Sequence, residues 1–147
     1  MPMGKRQSRR DAVRTLLRAG RMLDRVNTGL TPPQYRLLSL LADGTERSTA
    51  LAQRLTVSKP AISAAVESLS AAGFVRRRSD ESDRRITWLE ITTDGETALA
   101  VADDALVRRL DEVLDELGDA SAVLTALAAL DEAMEKNREE RRRARQA

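Results

Sequence analysis

Residues 58–91 read Ser58-Lys59-Pro60-Ala61-Ile62-Ser63-Ala64-Ala65-Val66-Glu67-Ser68-Leu69-Ser70-Ala71-Ala72-Gly73, then Phe74-Val75-Arg76-Arg77-Arg78, a polar run from Ser79 to Arg85, and Ile86 to Ile91. The first part has helical period. Ile62, Ala65, Val66 and Leu69 recur at spacings of three and four, Ser58 caps the start, Pro60 suits the first turn, and Gly73 suits a left-handed C-terminal cap. The second part has strand chemistry on both sides of a polar tip, so it predicts a β-hairpin. A helix running directly into an Arg-rich hairpin decides the fold class.

Upstream, Ser48 is predicted to cap a short helix with apolar Leu51, Ala52 and Leu55, and Thr56-Val57 makes a tight connection to the helix at Ser58. Two helices joined by so short a turn form a helix–turn–helix, whose second helix can project into a DNA major groove. Thr31-Pro32-Pro33 starts the preceding helix, which runs to Ala42 before Asp43-Gly44 breaks it.

At the N-terminus the first ten residues are expected to be loose. From Asp11 to Gly29, Val13, Leu16, Leu17, Gly20, Leu23 and Val26 mark one helical face. Thr93 and Glu96 form a capping box, with Thr92 an equally good cap, for a long helix to about Leu117. Gly118 breaks it. Asp119 or Ser121 then opens a last helix through Val123, Leu124, Leu127, Leu130 and Met134, running into an Arg-rich tail. The expected class is mostly α (α+β): a winged helix–turn–helix lobe over residues 30–92 between helical dimerisation segments at 11–29 and 93–137. Residues 1–10 are a flexible basic arm and 138–147 the Arg-rich tail.

Composition sets limits on function. The 147 residues contain no Cys and no His, and only one each of Phe, Tyr and Trp. Disulfide frameworks, thiol redox sensing, the usual zinc sites and His-dependent catalysis are excluded. So few aromatics argue against base-stacking platforms and aromatic-lined cofactor pockets. Carboxylate pairs at Asp103-Asp104, Asp111-Glu112 and Asp115-Glu116 recur along a helix without any nucleophile–base pair beside them. They read as a solvated face, and the chain is not expected to be an enzyme or to hold a metal or cofactor. No apolar run reaches the roughly 18 residues needed to span a membrane, and the basic N-terminus has no signal-peptide apolar core, so a cytoplasmic location without membrane contact is expected.

The formal net charge of +2 hides strong segregation. Residues 1–25 hold eight bases and two acids, a net of +6; residues 26–90 hold nine and seven, +2; residues 91–135 hold two and twelve, −10; residues 136–147 hold six and two, +4. Such blocks suggest separate partners, or attraction between the acidic and basic segments within or across subunits.

The candidate DNA-reading residues lie in the helix and hairpin. Ser58, Lys59, Pro60 and Ala61 place a hydroxyl, a cation and a helix N-terminus together, which favours phosphate. Ser63, Ala64 and Glu67 face away from the apolar stripe and are small enough to admit base edges. In the hairpin, Arg76, Arg77 and Arg78 enter the wing, and Arg84 and Arg85 lie at its tip, where they suit phosphates or a narrow minor groove. Asp80, Glu81 and Asp83 oppose that charge unless paired locally, Asp83 with Arg85 or a neighbouring Arg.

These motifs, taken in order, resemble the MarR (multiple antibiotic resistance regulator) family. The likeness is carried by Leu30-Thr31-Pro32-Pro33-Gln34-Tyr35, Leu51-Ala52-Gln53-Arg54-Leu55, Val57-Ser58-Lys59-Pro60-Ala61-Ile62-Ser63, Leu69-Ser70-Ala71-Ala72-Gly73-Phe74-Val75, Asp80-Glu81-Ser82-Asp83-Arg84-Arg85 and Leu89-Glu90-Ile91-Thr92-Thr93-Asp94-Gly95. It runs from about Leu16 to Met134. The family's wing often reads Asp-x-Arg-Asp-x-Arg, and here Ser82 stands in place of the first Arg. Match to that pattern makes Arg85 the candidate for minor-groove insertion, with Asp83 as its support.

The resemblance implies a homodimeric transcriptional regulator, of repressor type, on a pseudo-palindromic double-stranded operator. Val13, Leu16, Leu17, Leu114, Leu117, Leu124, Leu127, Leu130 and Met134 are the candidate dimer residues. It also implies a small organic effector between the dimerisation helices and the lobe, for which Arg18, Arg21, Tyr35 and Arg36 are candidate anion-pocket residues. The alternative open at this point is a helical dimerisation or adaptor protein that uses the winged helix for protein contacts.

Overall fold

In a computed structural model the described residues are 3–47, 50–51, 54–55 and 58–146. The elements are α1 (Met3–Asp24), α2 (Pro32–Ala42), β1 (Glu46–Arg47), α3 (Lys59–Ala71), β2 (Val75–Ser79), β3 (Thr87–Ile91), α4 (Thr93–Leu114) and α5 (Ala120–Gln146). The chain divides into two compact units, Met1–Arg109 and Leu110–Ala147.

Local chemistry explains the helix starts. Thr31 caps α2 through a complete capping box: its hydroxyl accepts from Gln34 N–H at 3.4 Å, and Gln34 Oε1 accepts from Thr31 N–H at 2.8 Å. Ser58 caps α3, its hydroxyl accepting from Ala61 N–H at 3.4 Å. Between them, Ala50, Leu51 and Arg54 are helical and Leu55 N–H donates to Leu51 C=O at 3.0 Å. The expected Ser48 cap, Ala52 and the Thr56-Val57 connection lie outside the described residues.

The core of the first unit is built by the stripes read from the sequence. Leu37, Leu38 and Leu41 of α2, Leu51, then Ile62, Ala65, Val66 and Leu69 of α3 meet Val75, Leu89 and Leu99. Leu30, Tyr35, Leu40, Leu55, Phe74 and Ile91 pack around them.

Gly73 adopts φ 77, a left-handed conformation that turns α3 into β2. Gly95 answers to a different constraint. A Cβ there would lie 2.2 Å from the Phe74 carbonyl oxygen, so only glycine lets the start of α4 approach that backbone.

The cap of α4 is Thr92 rather than the Thr93–Glu96 box. Thr92 Oγ1 accepts from Gly95 N–H at 3.1 Å and donates to Gly73 C=O at 2.7 Å, a second bond that Thr93 does not make. Two further boundaries differ from expectation. α1 begins at Met3, not Asp11, because Arg and Gln are good helix formers and Gln7 reaches Asp11 four residues on at 3.3 Å. The hairpin gains a third strand: β1 pairs antiparallel with β3 (Glu46↔Leu89, Arg47↔Trp88), giving the order β1-β3-β2. Two polar residues carry no period, so no sequence pattern marks β1.

In the second unit, Asp119 Oδ1 accepts from Ala122 N–H at 3.0 Å and caps α5. The helix continues without a break through the Arg-rich stretch to Gln146, with Arg138–Glu135 (2.8 Å) and Arg143–Glu139 (3.9 Å) pairs along it.

Candidate nucleic-acid interface

Burying Ile62, Ala65, Val66 and Leu69 forces the opposite face of α3 outward. Ser58, Lys59, Pro60, Ser63, Ala64 and Glu67 are all exposed, and Ala61 is half-buried. The helix N-terminus is less bare than its sequence suggests. Pro60 has no N–H, and Ser58 already occupies that of Ala61. The Lys59 ammonium therefore supplies most of the attraction that this end offers a phosphate. Gln34 Nε2 donates to Ser68 Oγ at 2.8 Å and ties α3 to the capped start of α2.

The wing is β2, the turn at 80–86 and β3, paired from Val75↔Ile91 to Ser79↔Thr87. Its Arg residues divide into two groups. Arg76 bonds Glu90 at 2.8 Å and Arg78 approaches the same carboxylate at 3.3 Å, because the register sets Arg76 opposite Glu90. The Arg76 hydrogen bond holds the Glu90 carboxyl below its ordinary range. Arg77, Arg84 and Arg85 are exposed, and among the described residues no carboxylate pairs with them. They are the guanidinium groups open to an incoming anion.

The turn acids act on the backbone. Asp83 Oδ1 accepts from the Arg85 N–H at 2.9 Å, so it positions the Arg85 main chain and leaves its guanidinium unneutralised. Asp83 thus holds Arg85, as the local-pairing reading expects, through the main-chain amide and not the guanidinium. An aspartate two residues back from an N–H satisfies that N–H more cheaply than it reaches a long side chain. Asp80 Oδ1 accepts from the Ser82 hydroxyl, the Ser82 N–H at 2.9 Å and the Asp83 N–H at 3.2 Å, while Oδ2 accepts from Trp88 Nε1 at 2.9 Å. These donors, the Ser82 hydroxyl foremost and the Trp88 indole next, hold the Asp80 carboxyl far below its ordinary range. Ser82, which breaks the family's Arg pattern, thus serves the turn directly. Neither Trp88 nor Arg47, whose guanidinium lies 5.0 Å from the indole centroid, was marked by any sequence signal. Their meeting depends on β1, which is itself unmarked.

The candidate effector residues are already engaged or open to solvent. Tyr35 donates to Asp103 Oδ1 at 2.7 Å, and burial, followed by Asp103, raises its hydroxyl pKa. Arg36 pairs with Asp24 at 2.9 Å. Arg18 and Arg21 are exposed on α1. An anionic ligand that used Arg36 or Tyr35 would compete with Asp24 or Asp103 for it.

Of the candidate dimer residues, Val13, Leu16 and Leu17 on α1 are exposed, as are Leu117, Leu124, Leu127, Leu130 and Met134. Leu114 differs: at 7% exposure it is buried within the single chain and is not available to a partner surface. Val101, Val107, Val113 and Val123 are further exposed apolar residues, outside the candidate dimer set.

The capped helix pair, the three-stranded sheet and the long flanking helices define a winged helix–turn–helix protein. Residues 28–86 match the model of the MarR family. The chain is 35% identical over 74 residues to the HTH-type transcriptional repressor YetL of Bacillus subtilis (strain 168), covering 48% of this chain and 44% of that protein. It is 29% identical over 110 residues to the HTH-type transcriptional regulator FarR of Neisseria gonorrhoeae, covering 74% and 73%. The transcriptional regulator BldR from Sulfolobus solfataricus shares the fold at a TM-score of 0.71 with 25% identity, over 90% of this chain and 99% of that one. The likeness to the MarR family is thus carried by residues 28–86, the winged lobe. These relatives are transcriptional regulators, not enzymes. Among the described residues, no helix is long and apolar enough to cross a membrane.

Proposed function

We propose that the protein is a cytoplasmic DNA-binding transcriptional regulator that represses by covering a promoter. A homodimer sits on a pseudo-palindromic operator, and a small organic effector releases it. The observation that carries this reading is the pairing of two exposed elements on one lobe. The outer face of α3 presents Lys59, Ser63, Ala64 and Glu67, and the wing presents Arg77, Arg84 and Arg85 without carboxylate partners among the described residues. A recognition helix reads major-groove edges while wing guanidiniums bind phosphates or a minor groove. Arg76, Arg78 and Asp83 support the wing from behind.

Dimerisation is supported by the apolar residues that α1 and α5 leave in solvent, since such stripes need a covering partner. Repression is the activity named for the Bacillus relative. An effector would act by favouring a spacing between the two lobes that mismatches the operator.

The test is fluorescence anisotropy with duplex DNA selected by the protein from a random pool, over a salt series. Affinity should fall steeply with salt as phosphate counterions return. Arg85→Ala should weaken the selected duplex by about 1–3 kcal/mol. Salt-independent binding, or no binding to any duplex, would favour a protein-contact adaptor instead.

A further inference from the structure

Trp88 is the chain's only tryptophan, and it stands on the sheet instead of in the core. It occupies the middle of a three-strand rung, with Arg47 of β1 on one side and Arg78 of β2 on the other. The Arg47 guanidinium lies over its ring at 5.0 Å, within cation–π range. Its indole N–H donates to Asp80 Oδ2 at 2.9 Å. The other oxygen of the same carboxylate gathers the Ser82 hydroxyl and the amides of Ser82 and Asp83. Asp83 in turn holds the Arg85 amide at 2.9 Å. An unbroken chain of bonds therefore runs from the sheet to the wing tip: Trp88, Asp80, Asp83, Arg85.

The choice of residues fits a locking role. An indole N–H can only donate, so it cannot repel the carboxylate or compete for the turn amides. Ser82 is short and satisfies one oxygen locally, which leaves the second to Trp88. A turn whose residues 80–85 are all polar would otherwise have to be ordered further when DNA arrives, at a cost in conformational entropy. We propose that Trp88, clamped by Arg47, is a positioning residue that locks the wing turn through Asp80 and so presents Arg85 in one preset posture. This rests on the DNA-binding reading above.

A double-mutant cycle tests it. Trp88→Phe keeps a ring beneath Arg47 but removes the donor. In the wild-type background it should weaken binding to the selected fluorescein-labelled duplex about tenfold, the worth of one hydrogen bond to a charged group. In an Arg85→Ala background the same substitution should change affinity little, because the group it positions is gone. A loss of equal size in both backgrounds overturns the proposal, since that is what general destabilisation produces. No loss in either background overturns it too. A wild-type protein that binds no duplex instead overturns the DNA-binding reading, and with it the proposal. A DNA-free measurement stands beside the cycle. In Trp88→Phe, hydrogen exchange at the Ser82 and Asp83 amides should rise while the Phe74 amide, bonded to Leu69 C=O at 2.9 Å, stays protected. Unchanged exchange at Ser82 and Asp83 would also overturn the lock.

Discussion

The winged lobe and the terminal helices treat their apolar residues in opposite ways. In the lobe, the stripes of α2 and α3 close on Leu51, Val75, Leu89 and Leu99, and Leu38 and Leu89 are fully buried. In α1 and α5, side chains of the same type and spacing stay in water, with Leu17 at 59% and Met134 at 61% exposure. Periodicity is equal in the two regions, so period alone does not tell a closed core from an open surface. The lobe closes because short turns fold its elements back on one another. The terminal helices are long, and each leaves apolar residues of its stripe exposed.

The largest effect that separates the regions is expected in the lobe. Leu69→Ala removes a side chain with 1% exposure and should cost about 2–5 kcal/mol, read by urea unfolding of Trp88 fluorescence. A loss below 1 kcal/mol would mean that the lobe is not closed around α3. Next is Leu127→Glu. If the α5 stripe is covered by a second copy, each leucine buried there contributes about 1.5–3 kcal/mol to assembly. Sedimentation should then shift to monomer while the urea transition reported by Trp88 moves little. An unchanged sedimentation coefficient would remove α5 from the interface.

A smaller effect concerns charge. Lys59→Ala should weaken selected and random duplexes alike and reduce the salt slope by about 1. A loss confined to the selected duplex would mean that Lys59 reads bases. The segregation of +6 and −10 segments predicts that dimer dissociation rises with salt in ultracentrifugation; an insensitive dimer would sink that pairing.

The smallest change is expected at the wing turn under acid. Hydrogen bonds from Ser82 and Trp88 depress the Asp80 carboxyl, so its stabilising contribution is complete above the ordinary aspartate value of about 3.9. That contribution is lost only as pH falls through the lower, folded-state value. Trp88 fluorescence should therefore stay flat from pH 7 to pH 4. A transition centred near 4 would show that the Asp80–Trp88 bond is weak in solution.

How much of this was legible in the sequence depended on how far apart the interacting residues are. Thr31, Ser58 and Asp119 reveal themselves because a cap bonds an amide about three residues away. Ile62, Ala65, Val66 and Leu69 do so because helical period fixes a shared face. The exposed reading face of α3 follows as the complement of that stripe. Thr92 and Thr93 were indistinguishable as caps, since what separates them is a bond from Thr92 to Gly73, nineteen residues away. Gly95 is likewise explained only by the Phe74 carbonyl that approaches it.

The sequence by itself determined the order of helices and wing, the buried faces, the charge blocks and the resemblance to the MarR family. Those properties rest on local hydrogen bonds and short-range period. Tertiary structure alone decided which wing guanidiniums are paired and which are open, that Leu114 is buried while Leu117 is not, and that Arg47, Trp88 and Asp80 meet. The wing pairings and the meeting at Trp88 are set by strand register and by the pairing of β1, and two polar residues in an extended segment do not announce their partner.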